Sequence, residues 1–436
     1  MFRLLKLLTF FAGLVLAALA PVSSAGGASP PITLLRVEGA IVPVVADYIE
    51  RGISAAESRH DAAVVIELST PGGLYDTTQR IVERILNARV PVIVYVSPAG
   101  GWAGSAGTFI TLAAHVAAMA PGSRIGAAHP VSGGGELTTA QEEKVTEDAA
   151  AFIRSIAQLR GRDPERAESA VRQSRSFSDA EALQANLIDI RAETMEDLLS
   201  QVNGRKVTTA GGQEVILNIS GAVLHDTGMS RVERFLQVVS NPNIAYVLLS
   251  IGSIGIIAEL YNPGTVFPGV IGGTSLLLGF YSLGVLNAYW GGVLLILLAF
   301  ALFIAELFVT SHGLLAVGGV ATLSIGSLIL FSGNPQALQV SRGLIAGVVI
   351  AVTAFFVFVI AAVVRAQRRR AVTGREGMVG QTGTAVTRLD PDGIVLVEGE
   401  RWAATAIGEG VEQGEEVLVT GVKGLKVTVA KKQKLS

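Results

Sequence analysis

The chain has 436 residues, 50% hydrophobic and only 16% charged, with 50 Gly, 15 Pro and no Cys. A soluble domain carries about 25% charged residues, so a single large soluble enzyme is excluded, and a net charge of -2 leaves no global basic field for nucleic acid. Without cysteine there is no disulfide, thiol nucleophile or Cys-ligated metal, and the five histidines never fall in HExxH spacing. No metal site and no cofactor are expected.

Arg3 and Lys6 precede an apolar run from Leu7 to Leu19, followed by small residues with Ser23 and Ala25 at cleavage positions. This is the three-part pattern of a secretory signal peptide over residues 1–25, the alternative being an uncleaved anchor. On either reading the segment after Ala25 lies outside the cytoplasm.

Residues 30–203 alternate strand-like and helix-like runs. Strands are expected at Ile32 to Val37, Ala62 to Leu68, Val90 to Val96, Val116 to Met119 and Leu187 to Ile190. Helices are expected at Val44 to Glu57, Asp76 to Ala88, Thr108 to Ala114 and Thr138 to Leu159. Ser178 and Glu181 read as a capping box opening a helix through Gln184. The alternation predicts an α/β domain with a mainly parallel sheet, whose chemistry sits in loops after strand C-termini.

Two loops qualify. Pro71-Gly72-Gly73 follows the second strand, and its glycines are able to present backbone N–H groups to an oxyanion, or simply to turn the chain. Gly100-Gly101-Trp102-Ala103-Gly104-Ser105-Ala106-Gly107-Thr108 places Ser105 among small residues at a helix start, as nucleophile or as ordinary cap, with the Ala106 N–H as a second oxyanion donor. A nucleophilic serine needs a base. The histidines available are His60, His115, His129 and His225, of which His115 sits among apolar neighbours and reads as a core residue. Lys144 is the one lysine between 32 and 200. A lysine base has to give up its proton, which takes burial or nearby positive charge, and Lys144 stands in Gln141-Glu142-Glu143-Lys144, a pattern that by itself favours a solvated helix surface.

Residues 204–243 are expected as a linker. From Ile244 to Val364 only Glu259, Glu306 and Arg342 are charged, 3 in 121 residues against 67 in the other 315. Breaks at Asn262-Pro263-Gly264, Asn287, Ser311-His312 and 332–342 leave pieces near the ~20 residues that a spanning helix needs. Five spans are expected, at 244–261, 267–286, 291–310, 313–331 and 343–364, within a membrane domain of 244–365. Glu259 and Glu306 sit near span ends, where an interfacial role outweighs an ion path. Arg365, Arg368, Arg369 and Arg370 place the end of the last span in the cytoplasm. The N-terminal domain is then extracytoplasmic, in a multi-pass protein of the cytoplasmic (inner) membrane. Residues 374–432 carry five short β-rich runs, which fits a small OB-fold barrel acting as a partner-docking module.

Four features together resemble the long-form NfeD family, membrane-bound ClpP-class serine proteases associated with stomatin-like proteins. They are Ser69-Thr70-Pro71-Gly72-Gly73, Ser105-Ala106-Gly107-Thr108 with its continuation through Ala127, the segment Lys144 to Ser155, and the order of domains. The resemblance spans 25–436 and implies a ClpP/crotonase-like α/β fold. Ser105 is then the nucleophile and Lys144 the base. Gly73 and Ala106 become the oxyanion-hole donors, with Gly72 shaping the loop. His129, near the position of the triad histidine in soluble ClpP relatives, is the alternative base. The implied activity is a Ser/Lys endopeptidase acting on apolar peptide segments, including those of a stomatin- or flotillin-like membrane partner, in membrane protein quality control. A homo-oligomer, dimer or higher, is expected. The competing readings are a non-catalytic organiser of stomatin-like assemblies, an acyl-CoA enzyme of the crotonase type, and a channel.

Overall fold

The computed structural model describes residues 31–131, 138–261, 264, 266–309, 311–334, 338–367 and 375–432. The expected signal peptide and Arg368 to Arg370 lie outside the described residues. The chain divides into two compact units, residues 1–353 and 354–436.

The first unit opens with β1 (Ile32–Glu38), α1 (Pro43–Arg59), β2 (Ala63–Ser69), α2 (Tyr75–Leu86), β3 (Val92–Val96) and β4 (Trp102–Gly104). Then come α3 (Ala106–Ala113), β5 (Val116–Met119), β6 (Arg124–Gly126), α4 (Thr139–Leu159), α5 (Pro164–Arg172), β7 (Ser176–Ser178), α6 (Asp179–Gln184), β8 (Ile190–Arg191) and α7 (Met195–Val202). Residues 204–243, expected as a linker, are structured. They form a hairpin of β9 (Lys206–Thr208) and β10 (Glu214–Ile216), the strand β11 (Leu224–Asp226) and the helix α8 (Arg231–Val239).

Six strands make one parallel sheet in the order β11-β1-β2-β3-β5-β8. β2 and β3 are near-continuous apolar runs because helices cover both faces of a parallel sheet. On one face Val65, Ile93, Tyr95 and Ala118 pack with Leu198 and Val202 of α7 and with Leu217 and Ile219. The last two come from the stretch expected as a linker, whose apolar residues are too sparse to announce a core role. On the other face α1 lies so close that a side chain at Gly52 would meet Leu35 at 2.6 Å. A second, three-stranded sheet, β4-β6-β7, carries the chain away from the main sheet at the serine loop.

α3 is short and fully buried, so its last carbonyls need partners. Arg160 Nε donates to Ala113 O (2.8 Å), and Arg162 Nη1 donates to Leu112 O (2.6 Å) and Ala114 O (3.1 Å). Arg162 Nη2 also pairs with Asp189, which accepts from the Ala117 N–H (2.7 Å). Arg162 is 4% exposed, and burial pulls its pKa down while Asp189 opposes this. Beside it, His115 accepts the Val92 N–H (3.1 Å) as the expected core histidine. Burial and the adjacent Arg160 charge push the His115 imidazole from its ordinary 6.5 down to about 3.

α8 docks the following segment onto this domain. Arg51 makes two bonds to Glu233, and Tyr48 donates to Thr227 O (2.7 Å). Five apolar helices follow: α9 (Pro242–Tyr261), α10 (Phe267–Val285), α11 (Trp290–Phe308), α12 (Leu314–Ile329) and α13 (Arg342–Gln367). Three are long and apolar enough to cross a membrane (Pro242–Tyr261, Phe267–Val285 and Arg342–Ala362), whereas the apolar stretches of α11 and α12 are shorter. Gly255 and Gly272 bring the α9 and α10 backbones together, since a Cβ on Gly255 would stand 2.8 Å from Gly272 Cα. The block contains a repeat, Ala258-Glu259-Leu260-Tyr261 and Ala305-Glu306-Leu307-Phe308. In each copy the glutamate takes amides at the start of the next helix, Glu259 those of Gly264 and Val266, and Glu306 those of Gly313 and Ala316. Both acids therefore act as helix-terminal partners. Tyr261 and Phe308 stack at 6.2 Å, joining the two hairpin tips.

In the second unit β12 (Thr382–Ala385), β13 (Asp392–Val397), β14 (Glu400–Ala406), β15 (Glu416–Lys423) and β16 (Lys426–Lys431) close a barrel in the order β12-β13-β14-β16-β15. Alternating small apolar residues fill it, among them Val395, Val397, Val417, Val419, Val427 and Val429.

Replacing Arg162 with Met takes its donors away from two helix-end carbonyls, Leu112 O and Ala114 O, and removes the ion-pair partner of Asp189. The expected loss is about 3 kcal/mol, read as a lowered Tm of the detergent-solubilised chain. For His115 the unfolded chain takes up a proton below pH 6.5 while the folded chain resists to about 3. Stability therefore falls as pH drops through that window, by up to about 1.4 kcal/mol per pH unit. A His115→Gln variant should show a flatter acid limb in a Tm-against-pH series.

Candidate active site

Ser105 occupies the position just before α3, with φ 48 and ψ −111. A non-glycine residue at positive φ costs on the order of 1–3 kcal/mol and persists only where its surroundings over-determine it. Here they do. The Ser105 N–H donates to Gly126 O (2.9 Å), the Gly104 N–H to Thr70 O (3.0 Å), and the Thr70 N–H to Trp102 O (2.6 Å). The Thr108 hydroxyl reaches the carbonyls of Ala103 (3.0 Å) and Gly126 (3.1 Å), and its oxygen accepts the Gly126 N–H (2.9 Å). The side chain is thus held at a helix N-terminus, in its positive potential.

Against it lies the turn after β2. Gly72 has φ +129, and a Cβ there would come within 2.8 Å of Ser105 Cβ. A Cβ on Gly73 would stand 2.1 Å from Ile41 O. The bonds of this turn run from the Ile41 N–H to Gly72 O (2.9 Å) and from the Leu74 N–H to Ile41 O (2.9 Å), while the Gly72 N–H is held by Thr70 Oγ1 (3.0 Å). Among the described residues no hydrogen bond uses the N–H of Gly73 or of Ala106. Two unspent amides beside a serine are what an oxyanion hole requires.

Ser105, Ala106 and Gly73 all line one cavity of about 700 Å³. Leu74, Tyr75, Phe109 and Val145 add apolar surface. Tyr75 meets Phe109 edge-on at 6.1 Å and Phe109 stacks on Phe152 at 5.8 Å. Tyr75 Oη donates to Asp148 (3.2 Å), which ties α4 to α2, and burial with the Asp148 charge raises the phenol's pKa.

Lys144 lies on the first turns of α4 and is exposed, while its neighbour Val145 lines the cavity. His129 Nδ1 lies 3.1 Å from Val171 O and its Nε2 3.8 Å from Glu142, and His129 is not among the cavity-lining residues. Trp102 is likewise absent from the lining. Its ring lies over Gly104, where a Cβ would meet it at 2.3 Å, and Arg124 stacks above at 4.9 Å. Thr70, Thr108 and Gly126 stand in the sequence motifs, but their positioning roles escape a reading of the sequence, because the bonds Gly104 to Thr70 and Thr108 to Gly126 join separate segments.

Gly104→Ala should displace the Trp102 ring and disturb the Ser105 loop. Combined with Trp102→Ala the loss should shrink, with a coupling of about 1 kcal/mol or more. A double-mutant cycle of fluorophosphonate labelling rate measures it.

Three family models match the chain in order. They are the NfeD1b N-terminal domain over residues 32–210, the NfeD integral membrane domain over 243–362, and the NfeD-like C-terminal, partner-binding domain over 375–431. A membrane-bound protease of Pyrococcus horikoshii is 36% identical over 92% of this chain and 94% of its own. The membrane protein NfeD1b of Bacillus subtilis is 27% identical over 91% and 92%. Among solved structures, a lysine-to-alanine variant of the 1510-N membrane-bound stomatin-specific protease, in complex with a substrate peptide, is 34% identical. It covers 49% of this chain and 98% of that one, with a TM-score of 0.46. The chain belongs to the NfeD family, as a membrane protein built from an α/β domain, a helical membrane domain and a small closed barrel.

Proposed function

We propose that the chain is a membrane-anchored serine endopeptidase with a Ser105/Lys144 dyad. One observation carries this reading: Ser105 is held in a strained conformation under an apolar cavity, between the two unspent amides of Gly73 and Ala106. In the reaction Ser105 Oγ attacks the scissile carbonyl carbon as neutral Lys144 takes the hydroxyl proton. The Gly73 and Ala106 amides hold the oxyanion, and Gly72 keeps the turn close enough for both to point at one atom. Lys144 then returns the proton to the leaving amine, and water activated by Lys144 releases the acyl-enzyme. Lys144 is exposed in the isolated chain, so bound peptide or a second copy has to cover it and favour its neutral form.

The apolar lining of the cavity suits apolar peptide segments. The relative's stomatin specificity, together with the match of the barrel to a partner-binding domain, supports a stomatin- or flotillin-like partner and a place in membrane protein quality control. The proposed topology puts the protease domain outside the inner membrane, behind a signal peptide, and the barrel in the cytoplasm, with the chain assembled as a dimer or higher oligomer. The exposure of Lys144 also favours a second reading, a non-catalytic organiser whose N-terminal domain only binds peptides.

Ser105→Ala should abolish cleavage of an apolar peptide by the purified chain, and Lys144→Ala should lower kcat by about 10²–10⁴. Lys144→Arg should not rescue, because guanidinium does not surrender its proton. His129→Ala should stay within a few-fold of wild type. Full activity in Ser105→Ala would refute the nucleophile. Peptide binding and partner binding without any fluorophosphonate labelling would favour the organiser.

A further inference from the structure

The cavity over Ser105 is not made by the protease domain alone. One wall consists of Phe280, Tyr281, Gly284 and Val285 at the end of α10, with Asn287 and Asn334 beside them. That wall is fixed to the protease domain through α8. Gln237 donates to Glu38 O (3.1 Å), and Ser282 of α10 donates to Val239 O (2.6 Å).

Asn334 is 3% exposed. Its Nδ2 donates to Leu286 O (2.6 Å), which fixes the orientation of the amide, since a flip would set two oxygens against each other. Its Oδ1 is buried and has no hydrogen-bond partner among the described residues. An unpaired buried acceptor costs about 1–3 kcal/mol, and the residue that carries it lines a cavity large enough to hold several side chains. Phe280 and Tyr281 differ from the other exposed apolar residues of the five apolar helices in lining this cavity. The protease side opposite offers Leu74, Tyr75 and Val145. The site therefore has two apolar walls, with one free acceptor on the membrane side.

We infer that the membrane domain forms part of the substrate site. Asn334 Oδ1 accepts a backbone N–H of the bound peptide, and Phe280 and Tyr281 hold its apolar side chains. The substrate is an extended apolar segment lying at the membrane surface. This deepens the endopeptidase reading of Ser105 and rests on it for the chemistry, though not for the binding.

The test uses the full chain in lipid nanodiscs, in the Ser105→Ala background, with a fluorescently labelled apolar decapeptide. Anisotropy gives Kd for this chain and for two versions of it, one with Asn334→Ala and one with Phe280→Ala and Tyr281→Ala together. The aromatic pair is exposed, so its removal spares the fold. Each change should weaken binding about tenfold, the equivalent of one net hydrogen bond or one apolar contact. Unchanged Kd in both overturns the subsite, as does weakening in Asn334→Ala alone if its Tm also drops. In the Ser105-containing chain, absence of both cleavage and fluorophosphonate labelling refutes the nucleophile while the Kd comparison still decides the subsite.

Discussion

One short helix, α3, is clamped at both ends, and the candidate site depends on that clamp. At its start, Ser105 is bent into a conformation that side chains avoid, and the backbone of the three-stranded sheet holds it there. At its end, two arginines satisfy the carbonyls that would otherwise be buried without partners, and Asp189 accepts from one of them, Arg162. A strained residue at a helix tip survives only if the helix cannot slide or fray to relieve it. The buried guanidinium of Arg162 is therefore a part of the serine's surroundings, although it lies at the opposite end of the helix. The Gly72-Gly73 turn completes the arrangement, because no other residue type fits between Ile41 and Ser105.

Much of this was legible in the residues themselves. The apolar runs of β2 and β3, the capping box at Ser178 and Glu181, the serine among small neighbours and the paired glycines each carry a local signal. The low charge density of 244–364 marks the five apolar helices equally well. What escaped was non-local. β4, β6, β7 and β11 have three residues each, too few for any period to register, and exist because a partner strand elsewhere supplies their bonds. Leu217 and Ile219 looked like stray apolar residues of a linker and are core. The two glutamates of the membrane block looked like isolated charges. They are equivalent members of a repeat, and only the hairpins show that each faces the amides of the next helix. Lys144 stands apart from these. Its pattern suggested solvent, its side chain is exposed, and its proposed role comes from family resemblance alone.

The route from the N-terminal domain to the membrane helices is built from polar contacts on a small apolar base. Arg51 with Glu233, Tyr48 with Thr227 O, and Ser282 with Val239 O lie along one path through α8. The path makes the end of α10 a neighbour of the serine loop, and this is how membrane-helix residues come to line the cavity. An N-terminal domain cut free at residue 203 would keep the serine and lose one wall.

The six-stranded sheet has a further consequence, at its margins. One edge is β11, three residues long, and the other is β8, of two residues. Long flat edges invite a neighbouring chain to add a strand, and stubs of this length offer almost no ladder to extend. The sheet is in effect hemmed on both sides by its own short strands. Strand addition at either margin would therefore gain few backbone hydrogen bonds, and these edges offer little to a second copy of the chain.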